Sequence, residues 1–188
     1  RCCPAGVKFI EHQFPGLLDI PSTGKSPHEM LGAVAKTYYA QKMGLDPENI
    51  DVVSIMPCLA KKYEAERPEL NEGELDYVDA VLSTRELARM IREAGINFAN
   101  LQDEDFDPIM GESTGASVIF GTTGGVIEAA VRTAYCWLTN EKPDKIEVTT
   151  LRGLDGTRDA TVSIGAMELQ NAIATGRGNA PSLMDGTT

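Results

Sequence analysis

Four cysteines and a lysine pair carry most of the chemistry open to this chain of 188 residues. Cys2 and Cys3 are adjacent and followed by Pro4. Neighbouring cysteines close a disulfide only with strain, which favours one thiolate on a metal and the other free for a second task. Cys58 follows Met56-Pro57 at the end of an apolar run, and Cys136 lies in Thr133-Ala134-Tyr135-Cys136-Trp137. Thiolates select iron–sulfur clusters, zinc or copper. Zinc calls for C-x2-C or histidines at ligand spacing, whereas His12 and His28 stand alone on predicted helices. Two readings stay open at this point: Cys3 and Cys58 share a metal centre, or all four cysteines are ordinary buried thiols. Lys61-Lys62 alone would be a solvated pair.

The elements that must position these groups follow from periodicity and turn residues. Val7–Phe14 has apolar residues at helical spacing and stops at Pro15-Gly16. Ser26-Pro27-His28-Glu29 predicts a helix start, with Ser26 as N-cap, Pro27 at the first helical position and Glu29 closing a capping box. That helix is expected to reach about Met43, bury Met30, Leu31, Val34 and Tyr38, and end at Gly44. Ile50–Pro57 reads as a buried strand that delivers Cys58 at its C-terminal end, the edge where α/β proteins place their sites. Asp79–Ser83 is a second strand, followed by a helix capped by Thr84 and stopped by Gly95. Ser117–Gly121 is an apolar run ending in the Gly-rich turn Gly121–Gly125, read as close packing at a helix start because it lacks the Gly-Lys-Ser/Thr of a phosphate loop. A helix follows to about Thr139, with Val126, Ala129, Ala130, Ala134 and Trp137 inside and Cys136 as a small buried side chain. Ile146–Leu151, a turn at Arg152–Gly156 and Ala160–Ile164 predict a hairpin. The expected fold class is α/β: a parallel-sheet lobe flanked by helices, with a C-terminal β-hairpin.

Composition bounds the function. With 17 basic against 28 acidic residues, the net charge of −11 argues against nucleic-acid or acidic-membrane binding, which needs clustered Lys and Arg. No run of eighteen apolar residues predicts a membrane span. The start at Arg1, without Met or leader, is read as that of an excerpt.

In order along the chain, Cys2-Cys3-Pro4, Lys25-Ser26-Pro27, Met56-Pro57-Cys58-Leu59-Ala60-Lys61-Lys62-Tyr63-Glu64, Gly111–Ala116, Val118–Gly121 and Thr123–Val126 resemble the catalytic domain of the iron-only (FeFe) hydrogenases. The resemblance covers residues 1–180 as a partial catalytic domain and leaves 181–188 as an unmatched tail. It implies an H-cluster, a 4Fe-4S cubane joined through a cysteine sulfur to a two-iron subcluster bearing carbon monoxide, cyanide and a bridging dithiolate amine. Cys3 and Cys58 match two of its four cysteine ligands, and Cys2 matches the free cysteine that passes protons to the amine. Lys61 matches the lysine that donates to a cyanide ligand, a charge-assisted bond. Met56, Pro57 and Phe120 fall among residues packed around the cofactor, and Ser22 and Ser26 fall near the proton route. The implied activity is reversible oxidation of dihydrogen and reduction of protons. Ferredoxin or another electron carrier and maturation proteins are the implied partners. A cytoplasmic location is expected, with the periplasm as the alternative. The alternative function is a non-catalytic sensory or iron–sulfur-assembly relative on the same fold.

The chain departs from that family in two ways. The third motif, a C-terminal cysteine pair that supplies the remaining ligands, is absent, so the 188 residues alone are expected to lack a complete centre. Arg1 stands where Ser is usual, and Gly6 where an aromatic is usual.

Overall fold

The computed structural model describes residues 2–122, 124–142, 149–150, 156–164, 167–176 and 178–181. They fall into two compact units, Arg1–Met110 and Gly111–Thr188.

In the first unit, Pro4 opens helix α1 (Pro4–Gln13), where its missing N–H costs no helical bond, and Cys3 is the N-cap on extended backbone. Strands β1 (Val53–Met56) and β2 (Ala80–Ser83) pair in parallel, from Val53 opposite Ala80 to Met56 opposite Ser83. A parallel pair needs a crossover, which begins with helix α4 (Ala60–Ala65). Both strands therefore end on the same edge, and each runs into a helix there. β2 passes directly into α5 (Thr84–Glu93). The cap is Ser83 rather than the expected Thr84, because Ser83 is the last residue on extended backbone. Its Oγ accepts the Glu86 N–H at 3.2 Å, and the Glu86 carboxylate accepts the Ser83 N–H at 2.7 Å. Gly95 follows at φ 69°, as expected.

The helix predicted over 26–43 is interrupted. It consists of α2 (Pro27–Val34), a wide turn at Ala35–Tyr39 in which the Ala40 N–H reaches back to the Ala35 carbonyl, and α3 (Ala40–Met43), closed by Gly44 at φ 66°. The stripe expected inside faces out: Met30, Leu31, Val34 and Tyr38 are each at least 41% exposed. Ser26, His28, Glu29, Gly32, Lys36 and Ala40 are buried instead. Gly32 explains the choice of face, since a Cβ there would stand 2.2 Å from the Tyr77 carbonyl oxygen. On the same face Lys36 Nζ donates to Asp79 Oδ1 at 2.6 Å, while Asp79 Oδ2 accepts the Val52 N–H at 2.6 Å. A backbone contact and a part-buried ion pair override apolar periodicity. The expected capping box is absent too: Ser26 is the N-cap by backbone, but its hydroxyl makes no cap hydrogen bond.

The second unit opens with α6 (Gly115–Ile119), which takes up the apolar run before the Gly-rich turn. Helix α7 (Gly125–Thr139) follows. The turn serves close packing, as expected, because a Cβ on Gly125 would lie 1.8 Å from the Ile119 carbonyl oxygen. That approach fixes the inner face at Gly125 and, four residues on, Ala129, with Val131 also buried. Trp137, expected inside, lies about 120° round the helix from Gly125 and is 80% exposed. Ala130 is exposed as well, and Cys136 is half-buried.

Strands β3 (Thr149–Thr150), β4 (Thr157–Ile164) and β5 (Met167–Ala174) form an antiparallel sheet in that order. Thr149 and Thr150 pair with Asp159 and Arg158, so part of the predicted hairpin is present. The rest of its first arm and turn, like Arg1, lies outside the described residues. β5 has no counterpart in the sequence reading, since Glu168, Gln170 and Asn171 give it weak strand character; eight cross-strand pairs with β4 supply it. The α/β class holds, and among the described residues no helix is long and apolar enough to cross a membrane.

Candidate metal centre

At the end of β1, Met56 is half-buried, Pro57 exposed and Cys58 half-buried. The Cys58 carbonyl accepts the Lys61 N–H at 3.2 Å as α4 begins. The Lys61 side chain is buried, and its Nζ donates to the Cys2 carbonyl at 2.9 Å and to Glu64 Oε2 at 2.8 Å. One residue thus ties the N-terminal cysteine pair to the strand end that carries Cys58. Just past α4, Arg67 adds a clamp, donating to both carboxylate oxygens of Glu11 on α1 at 3.2 and 2.6 Å. The thiols of Cys2 and Cys3 are free and exposed, and Cys58 is free. Cys3 Sγ accepts the Gly6 N–H at 3.4 Å. A Cβ on Gly6 would sit 3.6 Å from that sulfur, so glycine leaves open a flank that a larger residue would cover.

Behind Lys61 lies a buried polar cluster. Glu64 Oε2 accepts from Ser26 Oγ at 2.9 Å and from Lys61 Nζ, and stands 2.9 Å from His28 Nε2. His28 Nδ1 is 3.0 Å from Ser54 Oγ on β1. Glu29 is fully buried with Oε1 3.6 Å from His28 Nε2, and neither of its carboxylate oxygens has a hydrogen-bond partner. Ligand atoms of His28, Glu29 and Glu64 all lie within 4.8 Å of one another. Glu64 Oε2 already meets Ser26, Lys61 and His28, so the group is read as a charge network rather than a cation site. Burial pushes the Glu29 carboxyl above its usual range; His28 counters this in part and Glu64 adds to it. Burial would also raise Glu64, but hydrogen bonds from His28, Lys61 and Ser26 outweigh it and hold that carboxyl low.

The expected site residues divide. Lys61 bonds to the backbone carbonyls of Cys2 and Cys58 at 2.9 and 3.2 Å, and Cys3 is linked to it only as the neighbour of Cys2. Ser26 joins the buried network, whereas Ser22 is exposed and its Oγ accepts the Gly24 N–H at 3.1 Å. Phe120 belongs to the second unit, where it caps α6 and is 41% exposed. His28 does not stand alone, as the sequence reading had it, and the roles of Glu29 and Glu64 were missed. The i,i+3 spacing of Lys61 and Glu64 on one helix was a usable signal for that pair; nothing local marked His28 or Glu29.

Comparison with known proteins matches residues 1–188 to the family described as iron only hydrogenase large subunit, C-terminal domain. The chain belongs to this family. Over 183 residues it is 55% identical to the NADP-reducing hydrogenase subunit HndD of Solidesulfovibrio fructosivorans, covering 97% of the chain and 31% of that protein. It is 52% identical over 175 residues to the periplasmic Fe hydrogenase large subunit of Nitratidesulfovibrio vulgaris, covering 93% of the chain and 42% of that protein. Among solved structures it resembles the apo FeFe hydrogenase HydA1 of Chlamydomonas reinhardtii with a TM-score of 0.81 and 34% identity, covering 98% of the chain and 54% of that structure. The chain therefore spans only 31–54% of the length of these relatives. Its own donors fit the family's kind of cofactor: free thiols from two motifs joined by one lysine suit thiolate-bound iron, and a buried ammonium suits an anionic group beside them.

Proposed function

We propose that this chain supplies part of the H-cluster site of an iron-only hydrogenase that interconverts dihydrogen with protons and electrons. The observation that carries the reading is Lys61, whose backbone N–H binds the Cys58 carbonyl and whose ammonium binds the Cys2 carbonyl. In this reading Cys3 and Cys58 would hold the cubane, and Met56 and Pro57 would pack against the cofactor. When bound, the cofactor supplies the redox and dihydrogen-binding chemistry. Cys2, exposed and free, moves protons at its Sγ, a task a thiol performs near neutral pH better than a serine hydroxyl. Ser22 lies on the route by which protons reach it. Lys61 holds a fixed positive charge toward the anionic cofactor. Electrons pass to ferredoxin or a similar carrier, and maturation proteins install the two-iron unit, in the cytoplasm or the periplasm.

The Cys2 thiol also favours an enzyme over a non-catalytic assembly or sensory relative, which has no use for it. Expression of the full-length protein with maturation partners, assayed by hydrogen evolution from a reduced viologen, tests the reading. Cys2→Ser is expected to abolish evolution while leaving iron content unchanged. Normal evolution by that variant would refute the role given to Cys2.

A further inference from the structure

A buried ammonium gives up its hydration and must be held by fixed partners. Lys61 is 7% exposed on a side chain with four rotatable bonds, and two of its three N–H groups are placed, one on the Cys2 carbonyl and one on Glu64 Oε2. Glu64 is the less ordinary of these acceptors. It is 4% exposed, and three elements converge on its Oε2: α4 through Lys61, the start of α2 through Ser26 and His28, and β1 through Ser54, which fixes the far nitrogen of His28. Far more is spent on aiming this carboxylate than a surface i,i+3 pair needs.

We propose that Glu64, backed by His28 and Ser26, is the positioning residue for Lys61: it pins the ammonium against the Cys2 carbonyl and leaves the third N–H for an anionic ligand of the iron centre. This deepens the reading of Lys61 given above and rests on it. The carboxylate prevents the ammonium from swinging away, while the two carbonyl contacts of the same residue keep the cysteine motifs in step. His28 and Ser26 touch neither the cysteines nor Lys61 in the hydrogen bonds described, so they act through Glu64.

The test is amine labelling of the 188-residue chain under anaerobic reducing conditions, read residue by residue by mass spectrometry. Lys36, 2% exposed and bonded to Asp79 in the same unit, is the internal control for folding. Loss of a charged hydrogen bond predicts that Glu64→Gln speeds Lys61 labelling by about tenfold or more, with Lys36 unchanged. Glu64→Asp should restore part of the protection, which loss of packing alone would not explain. A change of less than about twofold at Lys61 in Glu64→Gln overturns the proposal. If Lys36 labels faster as well, that variant has unfolded and His28→Gln decides. With Lys36 protected, faster labelling of Lys61 in His28→Gln supports the proposal, and unchanged labelling overturns it. Failure of the hydrogenase reading would look different: the full-length protein expressed with maturation partners would evolve no hydrogen, with Lys61 protection in the chain as before.

Discussion

Glu29 offers the sharpest quantitative test of the buried network. It is fully buried, both carboxylate oxygens lack a hydrogen-bond partner although His28 Nε2 stands 3.6 Å away, and burial raises its carboxyl above the ordinary value of 4.5. A group whose folded value is raised stabilises the fold fully below its unfolded value, and that contribution is lost as pH rises through the folded value. Glu64 works in the opposite sense, since its folded value is lowered: its contribution is present above 4.5 and lost as pH falls through the folded value. As pH rises through the folded value the wild-type chain takes on the cost of a buried carboxylate without a hydrogen-bond partner, a cost it avoids at lower pH by keeping the proton. Replacing Glu29 with Met keeps the length of the side chain and removes both oxygens. The expected gain above the folded value is about 1–3 kcal/mol, the usual cost of a buried group left without a partner. Below it the gain should shrink. Hydrogen exchange at the amides of Val53–Met56, which belong to the same unit, is the assay, followed across a pH series with about fivefold slower exchange for each kcal/mol. If Glu29→Met exchanges no more slowly than wild type anywhere in the series, or gains equally throughout it, the charge of Glu29 is not the source of strain.

Further outcomes follow from other contacts. Gly32→Ala must drive a Cβ to within 2.2 Å of the Tyr77 carbonyl oxygen, so it should destabilise the first unit by about 3 kcal/mol, read as lost exchange protection in β1 and β2. The Glu86 carboxyl is held down to about 2 by the Lys62 ammonium, followed by the Ser83 amide and hydroxyl. A carbon-13 titration should find Glu86 still ionised where ordinary carboxylates have taken up their protons, and Lys62→Met should move its midpoint upward. The isolated chain contributes only Cys3 and Cys58 of the four expected ligands, so anaerobic reconstitution should give at most a labile cluster by iron counting. Infrared bands from cyanide or carbon monoxide in the chain alone would contradict that.

The strand that delivers Cys58, the helix behind Cys2-Cys3-Pro4 and the helix after the Gly-rich turn were all legible as elements, because each is fixed by local signals: an apolar run, a proline at a helix start, glycines at tight approaches. The strand was expected to be buried, however, and Val53 and Ile55 are exposed with only Ser54 inside. The motifs likewise singled out Lys61, though not its bonds to the Cys2 carbonyl and Glu64. What could not be read was which face of α2 goes inside. Met30, Leu31, Val34 and Tyr38 form the better apolar stripe, yet Gly32 and Lys36 settle the matter through Tyr77 and Asp79, more than forty residues away in sequence. The same holds for His28 and Glu64, whose burial beside each other depends on that choice of face. Strand β5 escaped notice for a related reason, since its place comes from β4 rather than from its own residues.

The wide turn at Ala35–Tyr39 makes this part of the chain tolerant of a change in length. It holds one residue more than an ordinary helical turn, and Ala40, 1% exposed, enters the interior directly after it. Removing a single residue there would close the turn into an ordinary helical one in which Ala40 still bonds the Ala35 carbonyl, so Ala40 and the approach to β1 would keep their places. Tyr38 is 57% exposed and can change identity freely. A single deletion and a substitution within the same five residues should therefore both leave the path toward Cys58 intact.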